Sequence, residues 1–377
     1  MNTQIFPLRS RKAQLGVTVI ELMVALLLGL LLTGGAIQLF VSNRATYGFN
    51  EGFARLQENG RFALDTVSYH ARLAGYFGCL PNIQMNNNLS GSTTFPFDFA
   101  LGLRGHEASG TNPTQTYTAP AVDPANSSTA GNWSPALPGA LLGGVIPSSD
   151  VLVVYHASPA SHALVSPYND SAQVFVDATS ADYVEGELGI VSDCQKASIF
   201  QITSVSTGGP PITVTHSNAS YVPGNAQPVW PGTQQYGPGA ELLRPETWVY
   251  YVGERAGGGP PVLYQRRLQL DPATDTVSLI AEELVEGVET MQVRYGIDAA
   301  GDGTIDSYAT ANAVDAANNW GRVATVRVSF LVRSPEEYGT EVDNDTYVVD
   351  ETIYNPVDDR RIRQVFTTTI AIRNRLP

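Results

Sequence analysis

The chain has 377 residues, 43% of them hydrophobic and 15% charged, a balance that excludes an intrinsically disordered polymer. Its net charge is −14; residues 1–16 hold three basic residues and no acidic one, and without them 19 basic residues face 36 acidic ones, net −17. That excess argues against a broad footprint for nucleic acid or anionic lipid. Charged residues are sparse against the usual share of about 25%. Gly, Pro, Ser, Thr and Asn take their place, which suggests a turn-rich β protein outside the cytoplasm.

The segment 1–16 is polar, with Arg9, Arg11 and Lys12 near its end and Gly16 closing it. Val17-Thr18-Val19-Ile20-Glu21 follows, and then Leu22 to Val41, 20 residues without a charge. That run is long enough to cross a hydrocarbon core of about 30 Å. Basic residues before it and a polar domain after it place the N-terminus in the cytoplasm. A secretory signal would carry its small-residue cleavage site after the apolar run; here Gly16 stands before it. Glu21 is the costly residue, because an ionisable group in a membrane segment is a functional hypothesis by default. The other reading leaves Glu21 at the lipid interface of a plain anchor.

After Arg44 the apolar residues Phe49, Phe53, Leu56, Ala63, Leu64, Val67, Ala71 and Ala74 recur at spacings of three, four or seven. They predict one face of an amphipathic helix, with Arg55, Glu58, Arg61, Asp65 and Arg72 opposite. Gly75 and Gly78 are its expected stops. A helix from Val17 to Ala74 would be roughly 85 Å long. The interior glycines Gly29, Gly34, Gly35, Gly48, Gly52 and Gly60 weaken it locally and permit close approach of neighbouring helices, with Gly34-Gly35 and Gly48 to Gly52 as soft points.

Residues 81–149 show no period and read as a long irregular insertion. Strand patterns begin at Val151–Tyr155 and continue through 173–177, 190–191, 199–205 and 212–216. A Gly-Pro turn at 257–261 joins Trp248–Val252 to Val262–Leu268 in a hairpin. Residues 282–296 are expected to begin as a helical turn and end as a strand. Val326, Val328 and Phe330 alternate onto one face, and 364–372 is the last strand. The order predicts one antiparallel sheet covering the exposed half of the long helix. Arg360, Arg361, Arg363, Arg373 and Arg375 around the last strand read as a solvated strand face.

Asp298-Ala-Ala-Gly-Asp302-Gly303-Thr304-Ile305-Asp306 partly matches a calcium loop. Ala300 replaces the third ligand and no Glu stands at the twelfth position, so a plain Gly-Asp turn competes with a calcium site at Asp298, Asp302 and Asp306. His156 and His162 fall in a Pro-rich stretch without a matching Cys or carboxylate set, which argues against zinc there. The two cysteines, Cys79 and Cys194, would form a disulfide outside the cytoplasm, contributing about 3–5 kcal/mol on a chain-entropy model; two unpaired buried thiols are the alternative. No nucleophile elbow, zinc-protease helix or phosphate loop occurs, so no catalytic constellation emerges.

The stretch Gly16-Val17-Thr18-Val19-Ile20-Glu21 resembles the prepilin peptidase site of type IV pilins and type II secretion pseudopilins. Val17 stands where Phe or Met is commoner. Arg72-Leu73-Ala74-Gly75-Tyr76-Phe77-Gly78-Cys79, the block Leu284 to Gly296, and Arg363 to Asn374 are similar to the corresponding parts of PilW-type minor pilins. The resemblance implies an α+β, type IV pilin-like fold, a long N-terminal helix on an antiparallel sheet with long loops. It divides the chain into a leader (1–16), a transmembrane half-helix (17–43), an amphipathic half-helix (44–78) and a β-rich domain outside the cytoplasm (79–377). It implies cleavage after Gly16, N-methylation of Val17, and subunit docking through Glu21. The implied partners are the prepilin peptidase, the inner-membrane assembly platform, the major pilin, other minor pilins and a tip adhesin. The implied role is initiation of pilus assembly, supporting adhesion and twitching motility, with an inner-membrane stage before the pilus. Two other readings share the anchor: a type II secretion pseudopilin, and a tethered periplasmic enzyme or binding domain.

Overall fold

The structure, a computed structural model, describes residues 16–78, 84–91, 94–122, 124–166, 171–218, 221–231 and 234–375. The chain forms two compact units, one ending at Glu51 and one beginning at Gly52. The class is α+β, as the sequence implies. Helix α1 spans Val19–Leu73, 55 residues. Strands β1 (Gln84–Asn87), β2 (Leu103–Ala108), β3 (Thr116–Thr118), β4 (Trp133–Ser134) and β5 (Val151–Ala163) follow. Then come β6 (Gln173–Val176), β7 (Leu188–Ser192), β8 (Lys196–Gln201), β9 (Ser204–Val205), β10 (Ile212–Thr215) and β11 (Glu241–Gly253). The C-terminal third holds β12 (Val262–Asp271), β13 (Thr276–Glu286), β14 (Val288–Ile297), β15 (Ser307–Ala309), the short helix α2 (Ala311–Ala316), β16 (Val323–Arg333), β17 (Tyr347–Val349), β18 (Thr352–Asn355) and β19 (Arg363–Ala371).

The single expected sheet is replaced, among the described residues, by four. The largest has nine strands and is built around β11, which pairs with β5 along one side and with β7 and then β12 along the other. A four-stranded antiparallel sheet runs β15-β14-β16-β19. Two three-stranded sheets, β6-β10-β9 and β17-β18-β3, complete the second unit. Alternation within a strand fixes which residues share a face, but pairing decides which sheet a strand joins, and the pairs here come from distant segments.

Within the second unit, α1 buries Gly52, Leu56, Gly60, Ala63, Val67, Ser68, His70 and Ala71. Leu56, Ala63, Val67, Ala71 and Ala74 share one apolar core with Leu152 and Val154 of β5, Trp248 and Tyr250 of β11, and Met291, Val328 and Phe330 of the four-stranded sheet. The face predicted from the period is therefore the buried one from Leu56 onward, whereas Phe49 and Phe53 remain about two-fifths exposed (42% and 41%). Gly52 and Gly60 admit the rings of Tyr338 and Phe366, whose atoms occupy the space a Cβ would need.

Two expectations fail for identifiable reasons. Residues 81–149 carry a second core rather than a loose insertion: Phe97, Phe99, Trp133, Leu137, Leu141 and Val145 pack with Val151, Val153, Tyr155, Val249 and Tyr251 of β5 and β11. Their spacing is aperiodic because the chain meets the core at bends instead of along one strand. Residues 282–296 contain no helical turn. β13 and β14 meet at Gly287, whose φ of +82° suits glycine and whose amide donates to Pro261 O at 2.8 Å.

Helix α1 ends as the sequence predicts, at Leu73, with Gly75 in the left-handed region (φ +73°). The Gly75 amide donates to Tyr155 O, and the Tyr155 amide to Gly102 O, each at 2.9 Å. A Cβ at Gly102 would overlap the backbone of Ala74 and Gly75. Backbone cannot step aside as a side chain can, so Gly102→Ala should lower the unfolding free energy by about 1–3 kcal/mol, read as a reduced urea midpoint; an unchanged midpoint would show that the helix end is not held there.

Candidate functional site

Gly16 and Val17 lie just ahead of α1 and are exposed. Thr18 is the residue before the first helical turn and Glu21 is three further on. The Thr18 amide and hydroxyl donate to Glu21 Oε2 at 2.9 and 3.0 Å, and the Glu21 amide donates to Thr18 Oγ1 at 3.3 Å. This is a reciprocal capping box, which satisfies amides that an isolated helix start leaves bare. Reading Glu21 by its charge alone missed this second role; the Thr-x-x-Glu spacing was the signal that could have found it. Beyond it the helix shows apolar side chains to its surroundings: Ile20, Leu30 and Leu32 are each more than 70% exposed. Among the described residues α1 is the one helix long and apolar enough to cross a membrane.

The blocks singled out near the C-terminus contain buried charge. Glu289 stands where the β14–β16 ladder shifts register, between Val288 and Thr290. Its carboxylate meets Arg333 at 3.2 Å and Arg363 at 3.1 Å. Arg363 also binds Asp343 at 3.0 Å and Asp359 at 2.8 Å, and its guanidinium group is fully buried. The basic residues near the last strand are thus not a uniformly solvated face. Arg363 ties β14, β16, β19 and the preceding loop together, and three carboxylates raise its basicity despite burial. Arg361 pairs with Asp359 at 3.4 Å and Arg375 donates to Trp320 O at 2.7 Å.

A second group joins the two larger sheets. Arg294 of β14 contacts both oxygens of Glu107 of β2 at 3.3 Å and lies 3.9 Å from Asp150. Asp150 accepts from the Ala108 amide at 2.8 Å and the Val293 amide at 2.9 Å. Burial pushes both carboxyls up from their ordinary range, Arg294 pulls them down, and one guanidinium cannot neutralise two carboxylates.

Asp298, Asp302 and Asp306 lie in the loop after β14. The Asp298 carboxylate accepts backbone amides of Gly301 (2.5 Å), Asp302 (3.2 Å) and Gly303 (2.8 Å). Asp302 accepts from Thr304 and Asp306 from Ala299. The three carboxylates are engaged with their own loop, the arrangement of a Gly-Asp turn. Cys194 occupies the turn between β7 and β8 with φ +66°; Cys79, its expected partner, lies outside the described residues, as do residues 1–15 of the leader.

His156 and His162 belong to β5 rather than to a loop. His162 meets Tyr183 OH at 3.0 Å. His156 is directly opposite Glu246 in the β5–β11 ladder, and His70 of α1 lies over the pair. His70 Nδ1 and His156 Nε2 are 3.0 Å apart, and His156 Nε2 is 3.7 Å from Glu246 Oε2. A carboxylate set for His156 therefore exists, though from elements that no local spacing reveals. Burial, and then the neighbouring His156, push His70 down to about 3; burial also lowers His156.

Residues 249–374 match the family model PilW, Type IV Pilus-assembly protein W. The match takes in the end of β11, all of β12 to β19, and both buried-charge residues of β14, Glu289 and Arg294. No curated protein and no solved structure matches the chain.

The Glu107–Asp150 pair has a pH signature. A carboxyl that holds its proton more firmly in the folded than in the unfolded chain stabilises the fold at low pH, and that contribution is lost as pH rises through the folded value. Unfolding midpoints should therefore fall between about pH 5 and about pH 9, and Glu107→Gln should flatten the decline; an equally steep decline in the variant would place its source elsewhere.

Proposed function

From a chain that is of the PilW type over residues 249–374, we propose a minor pilin that helps initiate and cap a type IV pilus. The observation that carries this reading is the family match together with a helix that opens on Gly16-Val17-Thr18-Val19-Ile20-Glu21 and shows an apolar surface for a membrane or neighbouring helices. Prepilin peptidase cleaves after Gly16 on the cytoplasmic side, and Val17 becomes the methylated N-terminus. The protein waits in the inner membrane with its β-rich unit outside the cytoplasm and the disulfide Cys79–Cys194 closed. It then passes into the pilus with other minor pilins, near the tip, where an adhesin joins them and adhesion and twitching depend on the assembly.

The chemistry of Glu21 supports this course. While the protein waits, Thr18 supplies hydrogen bonds to the carboxylate, which lowers the cost of holding it against lipid. On assembly the N-terminal amine of an adjacent subunit supplies the opposite charge. Such a pair selects register and orientation more than it adds stability.

Glu21→Ala should leave membrane insertion and cleavage intact while reducing surface pili, counted by electron microscopy, to a small fraction of the wild-type number; normal piliation would contradict the docking role. Deletion separates the system served: lost pili with normal protein secretion fits the type IV pilus, and lost secretion with normal pili assigns the chain to a type II pseudopilus.

A further inference from the structure

His70, His156 and Glu246 are the one group of three or more His, Cys, Asp or Glu side chains, among the described residues, whose ligand atoms all lie within 4.8 Å of one another. They come from three elements. Glu246 and His156 are register partners, so their side chains rise from the same face of the nine-stranded sheet. It is the face that carries Val154 and Trp248 toward α1. His70 sits one turn after Val67 on the helix and descends onto that face, stacked on the Trp248 ring at 3.9 Å between centroids.

The surroundings orient each group as a ligand. His156 Nδ1 donates to Ala157 O at 2.9 Å, which leaves Nε2 as an electron-pair donor aimed at His70 and Glu246. A backbone acceptor on the far nitrogen is the usual support of a metal-bound imidazole. The Trp248 indole donates to Glu246 Oε2 at 2.7 Å and fixes the carboxylate. His70 and His156 are 8% and 1% exposed, whereas the Glu246 side chain is 30% exposed. Glu246 also lines a cavity of about 530 Å³ with Arg244, Glu187 and Arg267, so this member of the group is open to solvent.

We propose that His70, His156 and Glu246 bind one zinc-like divalent cation, which clamps the C-terminal end of α1 to β5 and β11. Two imidazoles and a carboxylate suit a borderline ion. Ligand atoms on a tetrahedral zinc stand about 3.3 Å apart; the observed 3.0 and 3.7 Å bracket that spacing. His70 binds through Nδ1, as the tautomer with its proton on Nε2. Three protein ligands leave the fourth position to water or an external donor.

The test uses the full chain in detergent, stripped with a chelator, desalted, and titrated with zinc chloride. The proposal expects one zinc retained per chain by elemental mass spectrometry and a thermal midpoint that rises with zinc. Glu246→Gln keeps an oxygen acceptor for the Trp248 indole, so it should fold with a metal-free midpoint near wild type and bind zinc at least about tenfold more weakly. No retained zinc, or zinc binding unaffected by Glu246→Gln, overturns the site, as does binding lost instead in Asp298→Asn. Cobalt titration of the wild-type chain provides a readout that does not depend on any variant. Intense visible bands of a four-coordinate ion support the site, and the faint absorption of hydrated cobalt overturns it.

Discussion

Leu56, Ala63, Val67 and Ala71, with Ala74 just past its end, are the residues through which α1 meets both larger sheets of the second unit, and most of its architecture follows from that seam. Small side chains at Ala63, Ala71 and Ala74, with no side chain at Gly52 and Gly60, bring the helix close enough for the rings of Tyr338 and Phe366 to fill the space. Leu56 and Val67 each remove enough apolar surface from water to stabilise the fold by about 1.5–3 kcal/mol. The nine-stranded sheet is then committed on one face to the helix, and its other face is left for residues 84–149. That second face explains why a segment rich in turn residues contains Phe99, Trp133 and Leu141 with almost no exposure.

The charged groups buried beside this seam have a different character. Glu107, Asp150 and Arg294 sit between β2 and β14, and Glu289, Arg333 and Arg363 sit within the four-stranded sheet. Buried pairs of this kind offset the loss of hydration more than they add net stability. What they supply is position: an Arg363 displaced by one residue along β19 would move to the opposite face, take Asp343 from its cation and leave Glu289 and Asp359 with Arg333 and Arg361 alone. The stretch that matches the PilW family model contains Glu289, Arg294, Arg333 and Arg363, so these buried charges lie in the part of the chain that the model matches.

What the sequence revealed and what it hid divide along the range of the interactions. The helix, its stop at Gly75, the alternating Val326, Val328 and Phe330, and the hairpin between β11 and β12 are local patterns, and each is legible from neighbours in the chain. Arg363 read as solvated because its partner Glu289 lies 74 positions away. His156 read as isolated because His70 lies 86 positions away. Glu21 is legible twice, as a charge in an apolar run and as the fourth residue of a capping box. The division of the described residues into four sheets could not be read at all, since strand patterns carry faces and not partners.

The first unit has a simpler logic. An apolar helix with exposed Leu, Ile and Val side chains requires either lipid or other helices around it. A carboxylate held by Thr18 at its head suits the first environment, and a neighbour's amine would suit it to the second. As proposed, the two environments would be successive stages, with cleavage after Gly16 as the step that would create the amine. Its most direct test is the intact mass and N-terminal sequence of this protein recovered from sheared surface pili. The account predicts a chain in the pilus fraction that begins at N-methylated Val17. A chain that retains residues 1–16, or one found in the membrane fraction alone, would contradict it.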